Sequence, residues 1–359
     1  MTAPTAPARE SPAAGPPPAV LEIRGLRVAF DVPAGRLPAV DGVDLTLRQG
    51  EILALVGESG SGKSALSMSL VGLNRGPRTH ISGEVDFGGR NLAEASESEL
   101  RSVRGKDIAV VFQDSLAALN PLHRVGAQVV EMMRAHRRMP RERAMDRAVE
   151  LFGEVGIANP RDNARALPHQ MSGGMRQRVM IAMGLANDPA VLIADEPTTA
   201  LDVTIQAQVL SVLERARADH GTAILLITHD LGVVAEVADR VAVMYAGRIV
   251  EQGSRDEVLF DPQHPYTIGL LGSVPPIDGP VTDRLPAIPG NPLTGVDRPK
   301  GCAFAARCAF VRDACEEPPE LLRRDGGPGH LDACVLPGSV REAARGAGRD
   351  PVPNERGRS

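Results

Sequence analysis

Apolar and polar residues alternate over Leu21–Phe30 and again over Val43–Leu47, the period of strands covered on one face. Ile52–Val56 is apolar throughout and opens into a Gly/Ser loop, after which Lys63–Leu73 takes a helical period. From Leu116 to Ala186 that period dominates, and it predicts helices over Val125–Arg137, Arg141–Val155 and Gly173–Asn187. A strand at Val191–Ala194, a helix at Val203–Asp219 and a strand at Ala223–Thr228 follow. Arg240–Tyr245 and Arg248–Glu251, joined by Ala246-Gly247, read as a hairpin. Strands alternating with helices predict an α/β core over residues 20–260, with a helical subdomain inserted at about 115–187.

The texture changes after Phe260. Residues 261–300 are rich in Pro and Gly and read as an extended connector, and residues 301–335 hold all four cysteines. A separate extension over 261–337 is therefore expected. The Pro/Ala-rich residues 1–19 lack the apolar region of a secretory signal, and the polar stretch 338–359 follows the last cysteine; both are expected to be disordered tails. No apolar run approaches the roughly 18 residues of a membrane-spanning helix. Membrane association is thus expected to come through a partner, at the cytoplasmic face. A net charge of −5, with aromatics at 3% and no Trp, supplies neither the basic field nor the stacking surface of a nucleic-acid binder.

Chemistry concentrates in two places. Gly57-Glu58-Ser59-Gly60-Ser61-Gly62-Lys63-Ser64 fits the phosphate-binding pattern G-x-x-x-x-G-K-[ST] between a strand and a helix. Glycines let backbone N–H groups turn onto phosphate oxygens, and the helix start adds partial positive charge. Lys63 would reach the β- and γ-phosphates of ATP, and Ser64 would hold Mg²⁺. A glycine-rich turn with an incidental lysine is the bland reading, but the chain has only three lysines. Asp195 and Glu196 end the apolar run Val191–Ala194, placing one carboxylate to bind Mg²⁺ and the next to act on water as a general base. Two acids after a strand are usually solvated loop residues; behind a phosphate loop and ahead of Pro197-Thr-Thr-Ala-Leu-Asp202 they are not isolated.

Met171-Ser172-Gly173-Gly174-Met175-Arg-Gln-Arg178 resembles the signature of ABC ATPases, usually Leu-Ser-Gly-Gly-Gln. The resemblance implies a P-loop NTPase fold of the ABC cassette type: a RecA-like core, an antiparallel β subdomain, the inserted helical subdomain and here a small Cys-containing C-terminal extension. It implies that Ser172, Gly173, Gly174 and Met175 face ATP held by a second cassette. It further implies that Gln113 senses Mg²⁺ and the membrane subunit, that His229 grips the γ-phosphate, and that Asp202 sits at the dimer interface. Phe30 would stack on adenine, in competition with an ordinary core role for an aromatic at a strand end. The departures are Phe30 for Tyr and Met175 for Gln.

Four stretches are similar to the ATPases of dipeptide and oligopeptide importers: Val56–Ser64, Gln113-Asp-Ser-Leu-Ala-Ala-Leu-Asn-Pro121, Gln170–Met183 and His264-Pro-Tyr-Thr267. That resemblance implies a paralogous second ATPase subunit, two membrane permeases and an extracytoplasmic solute-binding protein as partners. Nickel, glutathione and other small-solute importers share the branch, while a soluble non-transport ABC ATPase predicts tandem cassettes or a coiled-coil insertion, neither of which is present. Cys302, Cys308, Cys315 and Cys334 resemble the extension of peptide-importer cassettes, where four thiolates can bind a [4Fe–4S] cluster. Zn²⁺ and buried free thiols remain alternatives, although paired C-x-x-C knuckles are absent.

Overall fold

A computed structural model describes residues 17–199, 201–274, 287–293, 295–323 and 329–347. Most of the two expected tails, 1–16 and 348–359, lies outside them. A four-stranded antiparallel sheet is built from β1 (Ala19–Val32), β2 (Gly35–Arg48), β4 (Thr79–Phe87) and β5 (Arg90–Asn91), in the order β2-β1-β4-β5. Between β2 and β4 the chain makes β3 (Ile52–Val56), the central strand of a second, larger sheet.

That sheet takes β6 (Ile108–Val111), β7 (Val191–Asp195), β8 (Ala223–Thr228), β9 (Arg240–Tyr245) and β10 (Arg248–Ser254), then β11 (Leu322–Arg323) and β12 (Leu331–Asp332). Its order is β11-β12-β10-β9-β3-β8-β7-β6. β3 runs parallel to both neighbours, with Ile52 opposite Ile224 and Leu53 opposite Arg240. All five residues of β3 are buried, which explains its unbroken apolar run: a parallel strand covered on both faces has no polar side. β6, β7 and β8 continue the parallel set, so their C-terminal ends emerge on one edge.

The helices are α1 (Lys63–Leu70), α2 (Glu97–Val103), α3 (Ser115–Ala118), α4 (Val125–His136), α5 (Arg141–Glu154), α6 (Pro160–Asn163), α7 (Gly173–Leu185), α8 (Val203–His220) and α9 (Leu231–Val237). α10 (Arg255–Phe260), α11 (Pro265–Gly272) and α12 (Gly338–Ala347) complete the set among the described residues. In the inserted helical subdomain α5 buries Ala144, Ala148, Leu151 and Phe152, an i, i+4, i+7, i+8 stripe. That stripe joins one apolar core with Val125, Val129 and Met133 of α4 and Val179 and Ile181 of α7. Phe152 is fully buried, and its replacement by Ala would cost about 3–5 kcal/mol.

Two expectations are corrected. The supposed connector after Phe260 contains α11, whose Tyr266 is fully buried against Tyr245, with ring centroids 4.6 Å apart. Pro at its first position fixes a helical φ and His264 caps it by accepting from the Tyr266 N–H, so a Pro-rich context starts this helix and does not prevent it. The polar stretch from Gly338 is helical through Ala347, because Arg341 is buried: it pairs with Asp332 at 2.9 Å and donates to the carbonyls of Leu336 and Cys334. The extension is thus joined to the core. β12 pairs antiparallel with β10, adding two short strands to the edge of the large sheet.

Candidate functional site

The phosphate loop leaves β3 and enters α1. Gly57 and Gly62 have φ of 155° and 109°, and a Cβ at either would lie 2.2 Å from a carbonyl oxygen, of Met244 and Ala39 respectively. No other residue fits those positions. Gly62 is the N-cap of α1, and α1 has no acidic residue in its first turn to compete with an anion. Lys63 is buried and folds over the loop, donating from Nζ to the carbonyls of Gly57 (2.7 Å) and Glu58 (2.9 Å) and reaching Ser61 Oγ at 3.4 Å. Burial lowers its pKa, opposed by the carboxylates of Glu196, Asp195 and Glu58. An ammonium stripped of water by burial can regain favourable contacts from phosphate oxygens. Ser59, Gly60 and Ser64 are exposed.

The facing wall comes from the parallel strand ends, where ligands of open α/β sheets bind. Asp195 ends β7; burial raises its pKa, and a hydrogen bond from Ser64 opposes the rise. This places the Ser64 hydroxyl and the Asp195 carboxylate together, an oxygen pair suited to Mg²⁺. Glu196 follows with φ of 48°, rare for a residue with a side chain, and its N–H is pinned to the Ile227 carbonyl at 2.9 Å. Three groups surround its carboxylate. Gln113 Nε2, just beyond β6, donates at 2.8 Å; Thr199 Oγ1 donates at 2.9 Å; His229 Nδ1, just beyond β8, lies 3.2 Å away. A carboxylate fixed this firmly at an exposed edge can accept a proton from water with little reorganisation.

Thr199 carries no role in the sequence reading. It lies in a turn whose N–H bonds back to the Glu196 carbonyl at 3.2 Å, and that three-residue spacing was the available signal.

The signature lies apart from this cluster. Ser172 is the N-cap of α7, its Oγ accepting from the Met175 N–H at 3.3 Å, and both Ser172 and Gly173 are exposed. Gly174 packs so closely on Ile205 of α8 that a Cβ would approach Cγ2 to 2.8 Å. Asp202 caps α8 by accepting from the Ile205 N–H at 2.9 Å and is exposed beside it. The result is a serine-capped helix start presented outward. Phe30 pairs with Leu37 and Thr79 within the small sheet, half-buried against its core, which leaves part of the ring open to solvent.

The four cysteines, spread over residues 302–334, line one cavity of about 10 Å³ with His264, Pro265, Phe304 and Leu336. Among the described residues none of them forms a disulfide. Burial pushes Cys308 up to about 12 and Cys334 up to about 11, and raises Cys302 as well. Among the described residues no group of three or more His, Cys, Asp or Glu side chains is set to hold a metal ion.

A lysine-bearing phosphate loop facing strand-end carboxylates, with an outward signature helix, defines an ATPase of the ABC type. Comparisons with known proteins agree. The ABC transporter family matches residues 40–199, and the oligopeptide/dipeptide transporter C-terminal region matches residues 250–315. An oligopeptide transport ATP-binding protein, OppD of Bacillus subtilis (strain 168), is 50% identical over 84% of this chain and 85% of its own. A dipeptide transport ATP-binding protein, DppD of Lactococcus lactis subsp. cremoris, is 49% identical over 84% and 86%. The ATP-binding cassette MJ0796, solved as a dimer in a post-hydrolysis state with ADP and Pi, superposes with a TM-score of 0.60. It is 26% identical to this chain and covers 66% of it and 98% of its own length. The chain belongs to the ATP-binding proteins of the oligopeptide/dipeptide ABC transporter family, and its activity is ATP hydrolysis.

Proposed function

We propose that this chain couples ATP hydrolysis to the import of oligopeptides or dipeptides, working at the cytoplasmic face of the membrane. Two permeases, an extracytoplasmic binding protein and a second, paralogous ATPase subunit complete the transporter. The observation that carries the mechanism is the set of bonds on Glu196: Gln113, Thr199 and His229 converge on one carboxylate beside Lys63. The peptide reading is supported by the match of residues 250–315 and by the named relatives.

In this mechanism Gly57–Ser64 wraps the triphosphate and Phe30 stacks on adenine. Ser64, Asp195 and Gln113 would hold Mg²⁺, which when bound would supply positive charge against the phosphates. Glu196 takes the proton of the attacking water, and His229 steadies the γ-phosphate. Ser172 and the amides after it close on ATP bound to the other subunit, as Asp202 lines the interface, so closure and turnover require both subunits. Gln113 reports that closure toward the permease.

For Cys302, Cys308, Cys315 and Cys334 we propose a [4Fe–4S] cluster held as a structural staple of the extension. What supports this reading is that four cysteines, the donor type such a cluster takes, line one cavity; among the described residues they are not gathered into a metal-holding group, so ligation would draw them together. Burial raises the pKa values of Cys302, Cys308 and Cys334, and ligation by a metal centre would reverse that.

The test is uptake of defined di- and oligopeptides by cells lacking this chain, restored by wild-type protein. Peptide uptake that survives the deletion, or loss of nickel uptake alone, would reject the peptide reading. Iron analysis of the anaerobically purified chain should give about four irons; stoichiometric zinc without iron would exclude the cluster.

A further inference from the structure

Glu58, inside the phosphate loop, is held from outside the cassette core. Its backbone N–H donates to the Tyr266 hydroxyl at 2.8 Å, from α11. Its carboxylate takes both arms of one guanidinium, Arg307 Nη1 to Oε2 at 2.6 Å and Nη2 to Oε1 at 3.0 Å. Its carbonyl, on the other side, accepts from Lys63 Nζ at 2.9 Å and from the Ser61 N–H at 3.2 Å. Every polar group of this residue therefore has a partner, two in the extension and two in the loop.

Arg307 is itself fixed. Its side chain is 5% exposed, it donates from Nε to the Pro289 carbonyl at 2.9 Å, and it lies 5.8 Å from the Tyr245 ring centroid and 5.9 Å from that of Phe304. It ends a short turn of 3₁₀ helix, Ala305–Arg307, and the next residue is Cys308. Phe304 and Cys308 both line the cysteine cavity. The segment carrying the guanidinium is thus shaped by the same packing that gathers the thiols.

We propose that Arg307, with Tyr266, is a positioning residue for the ATP site, seating Glu58 so that the loop carbonyls aim Lys63 at the phosphates. A planar two-armed donor sets both the position and the rotation of a carboxylate, which a single ammonium does not. It also neutralises an anionic side chain that would otherwise face the triphosphate unpaired, and removing one member of a shielded pair leaves the other charge uncompensated. The proposal rests on the ATP site alone, so it stands or falls independently of which solute is carried.

The test is equilibrium ATP binding and steady-state hydrolysis by the full chain in its assembled transporter. Arg307→Ala should raise Kd and KM for ATP about tenfold while kcat changes by less than about threefold. Arg307→Lys should recover only part of the loss. The double variant Glu58→Gln/Arg307→Ala should bind ATP better than Arg307→Ala alone, because the stranded carboxylate is gone; loss of packing alone would not be relieved this way. A folded Arg307→Ala protein binding ATP within twofold of wild type would overturn the proposal, as would a double variant no better than the single. If Arg307→Ala does not fold, Tyr266→Phe removes one hydroxyl and should weaken ATP binding about threefold or more, with unchanged affinity counting against the proposal.

Discussion

The large sheet carries a polar cluster at each of two places, and they are built on opposite terms. At the ends of β6, β7 and β8 the groups around Glu196 stay within reach of solvent: Gln113 is exposed and His229 is 61% exposed. Behind β10 the groups that dock the extension are sealed. Glu251 and Asp332 are fully buried, with His264, His330 and Arg341 buried around them. Glu251 accepts from the Gln263 and His264 N–H groups at 2.7 and 2.9 Å and meets His330 Nε2 at 2.8 Å. Catalytic groups must meet water and ligand, so they keep open valences. Adhesive groups must satisfy one another, because each unpaired buried atom costs about 1–3 kcal/mol. The strained φ of Glu196 belongs to the first cluster, where backbone strain supports a fixed side-chain direction.

This contrast predicts that substitutions at the open cluster change rate and leave folding intact. The largest effect should come from Glu196→Gln, which keeps size and hydrogen bonding but loses the proton acceptor. ATP turnover should fall about a hundredfold or more with ATP binding and melting temperature retained. A variant hydrolysing at the wild-type rate would remove Glu196 from the role assigned to it. A smaller loss, on the order of ten- to a hundredfold, is expected from Ser172→Arg, which fills the exposed start of α7. Single-subunit ATP binding should persist, since the phosphate loop is elsewhere. Full turnover in a complex with both signature serines made bulky would end the idea that each ATP needs a second subunit.

Legibility in the sequence followed the same division. The phosphate loop, the Asp195-Glu196 pair and the capping Ser172 are local patterns, readable because backbone geometry and chemistry coincide within a few residues. Glu196 and Gln113 were each legible alone; that they touch across 83 positions is a product of strand order. β4 escaped because only Val85 of its nine residues is buried, so it lacks a clean alternation. α12 read as a polar tail because its anchors include an arginine, Arg341, whose burial becomes reasonable only once Asp332 is beside it. The Arg307–Glu58 pair, 249 residues apart, had no sequence signal. Sealed polar networks hide in a sequence for a physical reason: their residues look like surface until their partners are known.

The sealed cluster should instead reveal itself as stability that depends on pH, the smallest of these effects. Burial pushes His264 down to about 4, and its Nδ1 must stay unprotonated to accept from the Tyr266 N–H at 3.0 Å. Its contribution is therefore complete above its unfolded value of about 6.5 and is lost as pH falls toward 4. At about pH 5.5 that loss amounts to about 1 kcal/mol. His330 behaves oppositely. Burial alone would lower its pKa, but the hydrogen bond and charge of Glu251 outweigh burial and hold it above the ordinary value. Its contribution is complete below the unfolded value and is lost as pH rises through the folded one. Thermal melts of the full chain should show the extension most stable where the two limbs cross, near about pH 6.5. His264→Asn, which keeps an acceptor at the helix cap, should flatten the acid limb, and His330→Gln should flatten the alkaline limb. Identical pH profiles for wild type and both variants would mean that the buried network does not titrate with folding, and the contrast between the two clusters would lose its energetic basis.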